Sequence, residues 1–219
     1  MVPNREASEE FASDLARAQE YTVQVLGRAL AVKDMGTEDH SKRVSAYSTL
    51  LAKSIGLSSA EIEQLSRGAF LHDIGKIAIP ADILNKHGKL SVEEQELMRT
   101  HSRSGYEIVR KVPFLTDASR IILHHHECFD GSGYPDGLCS DEIPIGARIF
   151  AVVDALDAIT TNRPYRNASS FSAARKEIIR CSGRQFDPMV VEAYVKIPHD
   201  AWDQLRMQVV HKTITGSAD

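Results

Sequence analysis

Six of the nine histidines, His40, His72, His101, His124, His125 and His126, fall on stretches of helical periodicity, on or beside the faces that carry the apolar residues. A buried imidazole needs a polar partner, and a single histidine on an apolar helix face is ordinarily a core residue that has found one. Several in one small domain, joined by Asp73 and Asp154, would each need a separate partner. One shared metal centre satisfies them together. The chain therefore has to fold so that side chains far apart in sequence reach a single point.

The pattern between those residues is helical. Phe11, Leu15, Ala18, Thr22, Val25, Ala29 and Val32 alternate steps of four and three, which predicts a helix from about Glu9 to Lys33. That seam admits three readings: a face packed on its own domain, a homodimer contact, or a connector from a sensor domain. A second helix runs from about Asp39 to Ile55, buries Val44, Tyr47, Leu51 and Ile55, and stops at Gly56. Capping boxes at Ser58 with Glu61 and at Ser91 with Glu94 open helices that reach His72 and about Arg110, the second with Leu97, His101, Gly105 and Ile108 sharing a face. A short helix is expected from Asp117 to Glu127. From Phe129 to Gly146 the chain carries Gly131, Gly133, Pro135, Gly137 and Pro144, so it reads as a long ordered loop. Helices follow from Pro144 to about Thr161, from Ser170 to Cys181, and from Pro188 to Val195 with Asp187 as N-cap. Nothing alternates as a strand does. The expected fold is all-α, with a connector or dimerisation helix over 1–35, a catalytic domain over 36–197 and a C-terminal tail over 198–219 that gives little signal.

Composition removes several function classes. The 219 residues carry a formal net charge of -4, so there is no global basic field to hold a nucleic acid polymer, while a local cationic patch for a small phosphate ligand stays open. Cys128, Cys139 and Cys181 are odd in number and lack CxxC spacing, which predicts free thiols in a reducing compartment, the cytoplasm by default. The polar, acidic N-terminus and the lack of an 18-residue apolar run argue against export and membrane insertion.

Imidazole and carboxylate together suit iron, manganese, nickel or zinc, whereas magnesium prefers oxygen alone. His72 and Asp73 are adjacent at a helix end, so one backbone break can aim both at one centre, where Asp73 could bridge. His125 and His126, about 100° apart on a helix, can both face inward if it is deeply buried. Asp154 shares a helix side with Ala147, Ala151 and Ala158, which lets backbone and metal approach closely. His124 is the odd one of the triple, expected behind the ligands or at the surface.

LHDIGKIAIPADIL (Leu71 to Leu84), His101, HHHECFDGSGYPDGL (His124 to Leu138) and ARIFAVVDALDAITTNRPYR (Ala147 to Arg166) together resemble an HD-GYP domain, a variant of the HD metal phosphohydrolases, over roughly Asp34 to Ile197. The resemblance implies a phosphodiesterase that cleaves cyclic di-GMP to linear pGpG, or on to GMP, through a hydroxide bridging two divalent transition metal ions. It implies a first metal set of His40, His72, Asp73 and Asp154, with Asp73 bridging to a second set of His101, His125 and His126. Lys76 then lies near the scissile phosphate, and Arg163 and Arg166 bind phosphate. Gly133 and Tyr134 lie in the loop that shapes the pocket, and Glu127 is expected as a partner behind the ligands or as a helix-end residue. Some members hold a third metal through a glutamate four residues before the first histidine. Here that position is Gly36, and Glu38 points elsewhere on a helix, so two ions and a linear product are expected. Other cyclic dinucleotides such as cyclic GMP-AMP, other HD phosphohydrolase substrates, and a non-catalytic module binding nucleotide or a GGDEF-domain partner remain alternative readings.

Overall fold

The computed structural model describes residues 5–34, 37–162 and 167–215, and its regular structure is helical, with two isolated β-bridges and no strand among the described residues. In chain order the α-helices are α1 (Arg5–Lys33), α2 (Thr37–Ile55), α3 (Ser59–Leu71), α4 (Ala81–Leu84), α5 (Val92–Val109), α6 (Thr116–His124), α7 (Ile145–Thr160), α8 (Phe171–Arg180), α9 (Pro188–Lys196) and α10 (His199–Thr215). Short 3-10 turns occur at Ile74–Ala78, Pro113–Leu115 and Ser140–Glu142. No described helix is long and apolar enough to cross a membrane, and all three cysteines are free thiols.

The punctuation follows local chemistry. Gly56 takes φ +87°, open to glycine at no steric cost, and its amide and that of Leu57 close the end of α2 on the Ala52 carbonyl at 3.1 Å each. Both capping boxes form: Glu61 accepts from the Ser58 amide at 2.8 Å and Glu94 from the Ser91 amide at 2.7 Å. Asp187 accepts from the Met189 amide at 2.8 Å and opens α9 on Pro188.

Tyr47, Leu51, Leu65, Ile149, Phe150, Val153 and Leu156 form the main core between α2, α3 and α7. A smaller cluster, with Val23, Leu30, Phe70, Ile74, Leu115 and Ile122, docks α1. The contact side of α1 is thus not the periodic seam. Phe11, Leu15, Val25 and Val32 are 70%, 49%, 45% and 86% exposed, and Val23 and Leu30 face the domain instead.

Three expectations needed correction. The buried face of α5 is His101, Ser102, Gly105 and Val109, while Leu97 and Ile108 are exposed, because Gly105 turns toward Ile122 and Gly75. The helix expected to run to Glu127 ends at His124, with His125 as its C-cap and His126 in the tighter turn that follows: the Glu127 amide bonds back to the His124 carbonyl at 3.0 Å, and the His126 carbonyl accepts from the Tyr134 amide at 3.2 Å. The stretch after Pro198 forms α10 and joins the core, with Trp202 edge-on to Tyr47 at 5.6 Å and tilted on Tyr194 at 5.4 Å.

Trp202→Ala should cost about 3–5 kcal/mol of unfolding free energy, whereas Met207→Ala on the exposed side of α10 should stay within about 0.5 kcal/mol. Urea unfolding followed by far-UV circular dichroism measures both, and equal midpoints would mean that α10 is not part of the cooperative core.

Candidate metal centre

Five segments deliver the polar side chains. His72 caps the C-terminus of α3, and Asp73 leaves helical geometry (φ -92°, ψ 3°) to start the Ile74–Ala78 turn. That turn lies directly on α5, where a Cβ on Gly75 would overlap the His101 carbonyl. His40 comes from α2, Asp154 from α7, His101 from α5, and His125 with His126 from the end of α6. All seven residues expected as ligands come together. His40 Nε2 is 3.5 Å from Asp154 Oδ1, and the His40 and His72 rings are 5.2 Å apart. His72 Nε2 is 3.1 Å from Asp73 Oδ2, while His101 Nε2 is 3.5 Å from Asp73 Oδ1. The donor atoms of His101, His125 and His126 lie within 4.8 Å of one another, a group able to hold a metal ion.

Tautomers give the arrangement its meaning. Nδ1 of His72, His101 and His125 lies 2.8, 2.7 and 2.7 Å from the carbonyls of Ala69, Met98 and Ile122, so each Nδ1 carries the proton. His101 and His125 are then each left with an Nε2 lone pair aimed inward, while His72 Nε2 faces Asp73 at 3.1 Å, and against the pull of burial that carboxylate raises the His72 pKa. His101 Nε2 and His125 Nε2 consequently stand 3.2 Å apart as two acceptors with no proton between them. An electropositive ion removes that conflict, and the donor set fits one. Burial, reinforced by neighbouring histidines, lowers the His101 pKa, lowers that of His125 further and brings His126 to about 3, so all three are neutral and available as ligands near pH 7.

Asp73 stays ionised even though burial opposes it, because His72 and Lys76 hold its carboxyl well below the usual range. The Lys76 ammonium is 2.8 Å from Asp73 Oδ2 and 3.0 Å from Asp34 Oδ2. These two carboxylates outweigh desolvation and keep it protonated.

Asp157 and Arg43 belong to none of the motifs that mark the other site residues. Asp157, 1% exposed, lies 2.8 Å from His40 Nδ1 and accepts two bonds from the Arg43 guanidinium at 2.6 and 3.0 Å. Burial would raise its pKa, yet the bonds from His40 and Arg43 bring it to about 2. This carboxylate fixes the His40 tautomer as the carbonyls fix the other three. The available signal was its place one turn after Asp154, a second acid on an otherwise apolar helix.

Around the centre, His124 is buried and turned away, with Nε2 3.1 Å from Asp136 Oδ2. Glu127 turns to the loop rather than to a ligand: its Oε1 accepts from the Asp136 and Gly137 amides at 2.8 and 3.1 Å. Gly133 passes so close to the Glu127 and Cys128 backbone that a Cβ would overlap both. Tyr134 is thereby laid on His126, with ring centroids 4.7 Å apart and planes at 27°. Gly36, Arg163 and Arg166 lie outside the described residues. A cavity of about 550 Å³ opens beside the centre, with His126, Gly133 and Tyr134 on one side and Ala151, Asp154 and Ala155 of α7 on the other. That is room for a small organic ligand.

The profile of a family described as HD domain matches residues 24–190. Over 186 residues the chain is 40% identical to the cyclic di-GMP phosphodiesterase response regulator RpfG of Xanthomonas campestris pv. campestris, covering 84% of this chain and 49% of that protein. Over 206 residues it is 36% identical to 3′3′-cGAMP-specific phosphodiesterase 2 of Vibrio cholerae, covering 93% of this chain and 37% of the relative. The chain thus spans half or less of these relatives' lengths. The fold is shared with the crystal structure of the cyclic GMP-AMP-specific phosphodiesterase V-cGAP3 of V. cholerae, at a TM-score of 0.62 and 20% identity over 84% of this chain and 52% of that one.

Asp157→Ala should weaken affinity for a divalent transition metal about 10–100-fold, as loss of a histidine's orienting partner does elsewhere. Asp157→Asn, which keeps an acceptor for His40 Nδ1, should lose less. Competition against a chromogenic chelator measures both, and unchanged affinity in the alanine variant would exclude the orienting role.

Proposed function

Because the chain belongs to the HD-domain family, we propose that it is a metal-dependent phosphodiesterase of the HD-GYP type that hydrolyses cyclic di-GMP to linear pGpG. The observation that carries this reading is the Asp73 carboxylate, which turns one oxygen to His72 and the other to His101 and so stands between two donor sets. His40, His72, Asp73 and Asp154 would hold one ion; Asp73, His101, His125 and His126 would hold a second. Iron or manganese suits these donors best, and nickel and zinc are also compatible. Such ions, when bound, lower the pKa of water and neutralise phosphoryl oxygens.

In the overall reaction, water adds across one P–O3′ bond, leaving a 5′-phosphate and a 3′-hydroxyl. Lys76 is the group suited to the leaving oxygen: its Nζ is charged and can stabilise developing negative charge there or supply the proton it needs. Arg163 and Arg166 would clamp the phosphate that is not cut. Tyr134 and Gly133 form the cavity wall against which the dinucleotide lies. A cyclic GMP-AMP substrate is the alternative, favoured by the similarity to the V. cholerae enzyme.

The exposed seam of α1 supports a partner role for this helix. Its uninterrupted steps of four and three suit a second copy of the chain. Leu15→Asp should shift a sedimentation profile toward monomer, and a profile already monomeric in the parent would remove the idea.

The deciding assay incubates metal-analysed protein with cyclic di-GMP and with cyclic GMP-AMP and resolves the products by chromatography. The expected product is pGpG. Asp73→Ala should lose metal and turnover together, whereas Arg163→Ala should weaken substrate binding and keep its metal. Full metal content in the Asp73 variant, or no hydrolysis by iron-, manganese- or nickel-loaded parent, would overturn the reading.

A further inference from the structure

Arg99 stands at the mouth of the cleft, on α5, two residues before His101. Its guanidinium carbon lies 5.0 Å from the centroid of the Tyr134 ring, and the same ring is stacked on His126. The Tyr134 ring thus touches both the Arg99 guanidinium and a candidate ligand. A cation–π contact of this kind holds a guanidinium in place without using up its N–H donors.

The neighbouring cations are already engaged. Arg103, one turn on, donates to Asp136 at 2.6 Å, and Lys76 is held between Asp73 and Asp34. Arg99 makes no ion pair or hydrogen bond through its guanidinium with any described residue. It is also the only lysine or arginine among the described residues that line the 550 Å³ cavity, whose other charged lining groups are the acids Glu127, Asp154 and Glu177. A cyclic dinucleotide carries two phosphodiester charges. Beyond the ions and the Arg163 and Arg166 clamp proposed above, a cleft wall that carries these acids favours one more cation beside the anion, and Arg99 is placed to be one.

We infer that Arg99 is a substrate-binding residue whose guanidinium pairs with a phosphoryl oxygen of the cyclic dinucleotide at the cleft mouth, on the Tyr134 side. This rests on the cyclic-dinucleotide reading above and adds a residue to it. Since the arginine acts on the anion rather than on the metal ligands, its loss should affect affinity and its salt dependence while leaving metal content alone.

The test is equilibrium binding of hydrolysis-resistant phosphorothioate analogues of cyclic di-GMP and cyclic GMP-AMP to the metal-loaded full chain, for parent, Arg99→Gln and Arg99→Lys, at low and high salt, beside the turnover assay. Arg99→Gln should weaken binding about tenfold, one charge-assisted contact in size, and should flatten the dependence of affinity on salt. Arg99→Lys, which keeps the charge but not the planar fork against Tyr134, should bind between the parent and the glutamine variant while keeping the parent's salt dependence. A merely structural prop for Tyr134 would leave the salt dependence of the glutamine variant like the parent's. If the parent binds and Arg99→Gln binds equally well with the same salt dependence, the inference is overturned and the proposed function stands. If the parent neither binds nor hydrolyses either dinucleotide, the proposed function fails and takes the assignment with it.

Discussion

The close approach of the Ile74–Ala78 turn to α5 is the contact on which the rest of the site depends. No side chain separates Gly75 from the His101 carbonyl, and Gly105 supplies the matching gap on the helix. Because the two backbones touch, Asp73 and His101 come from different elements and still face each other across 3.5 Å. A methyl group at either glycine would push them apart. The lysine that follows is carried by the same turn, so the acid, its counter-cation and the first histidine of the second donor set are positioned by one packing event.

A second constraint is the cost of burying so much polarity. Five imidazoles converge, and four of them are oriented through the nitrogen that faces away from the centre, three by backbone carbonyls and His40 by Asp157. Asp157 in turn would be a costly buried charge without Arg43. The apolar core around Phe150 touches this network directly, its ring lying 4.7 Å from that of His72. Packing and polar order therefore support each other, and neither could be relaxed alone.

Much of this was legible in the chain. Capping boxes, Gly56, and the Asp187–Pro188 start marked helix ends because their signals are local and act within four residues. The convergence of His and Asp was legible because buried imidazoles without partners are too costly to ignore. Three things were hidden. Arg43 and Asp157 look like ordinary helix residues until α2 and α7 are packed together. The end of α6 at His124 depends on a bond from Tyr134, ten residues downstream of the helix. Trp202 sits in a segment whose polar surroundings carry no period, and the presence of Tyr47 and Tyr194 across the interface makes it core.

The link between Lys76 and Asp34 can also be viewed mechanically. Asp34 directly follows α1, and Lys33 beside it donates to the Ile77 carbonyl of the same turn. A stiff rod of roughly 40 Å, at about 1.5 Å per residue, is thus fastened by its final residues to the segment that carries the ammonium. Its outer half has few holds on the domain. The lie of that rod and the position of the ammonium are therefore coupled through a single pair of side chains.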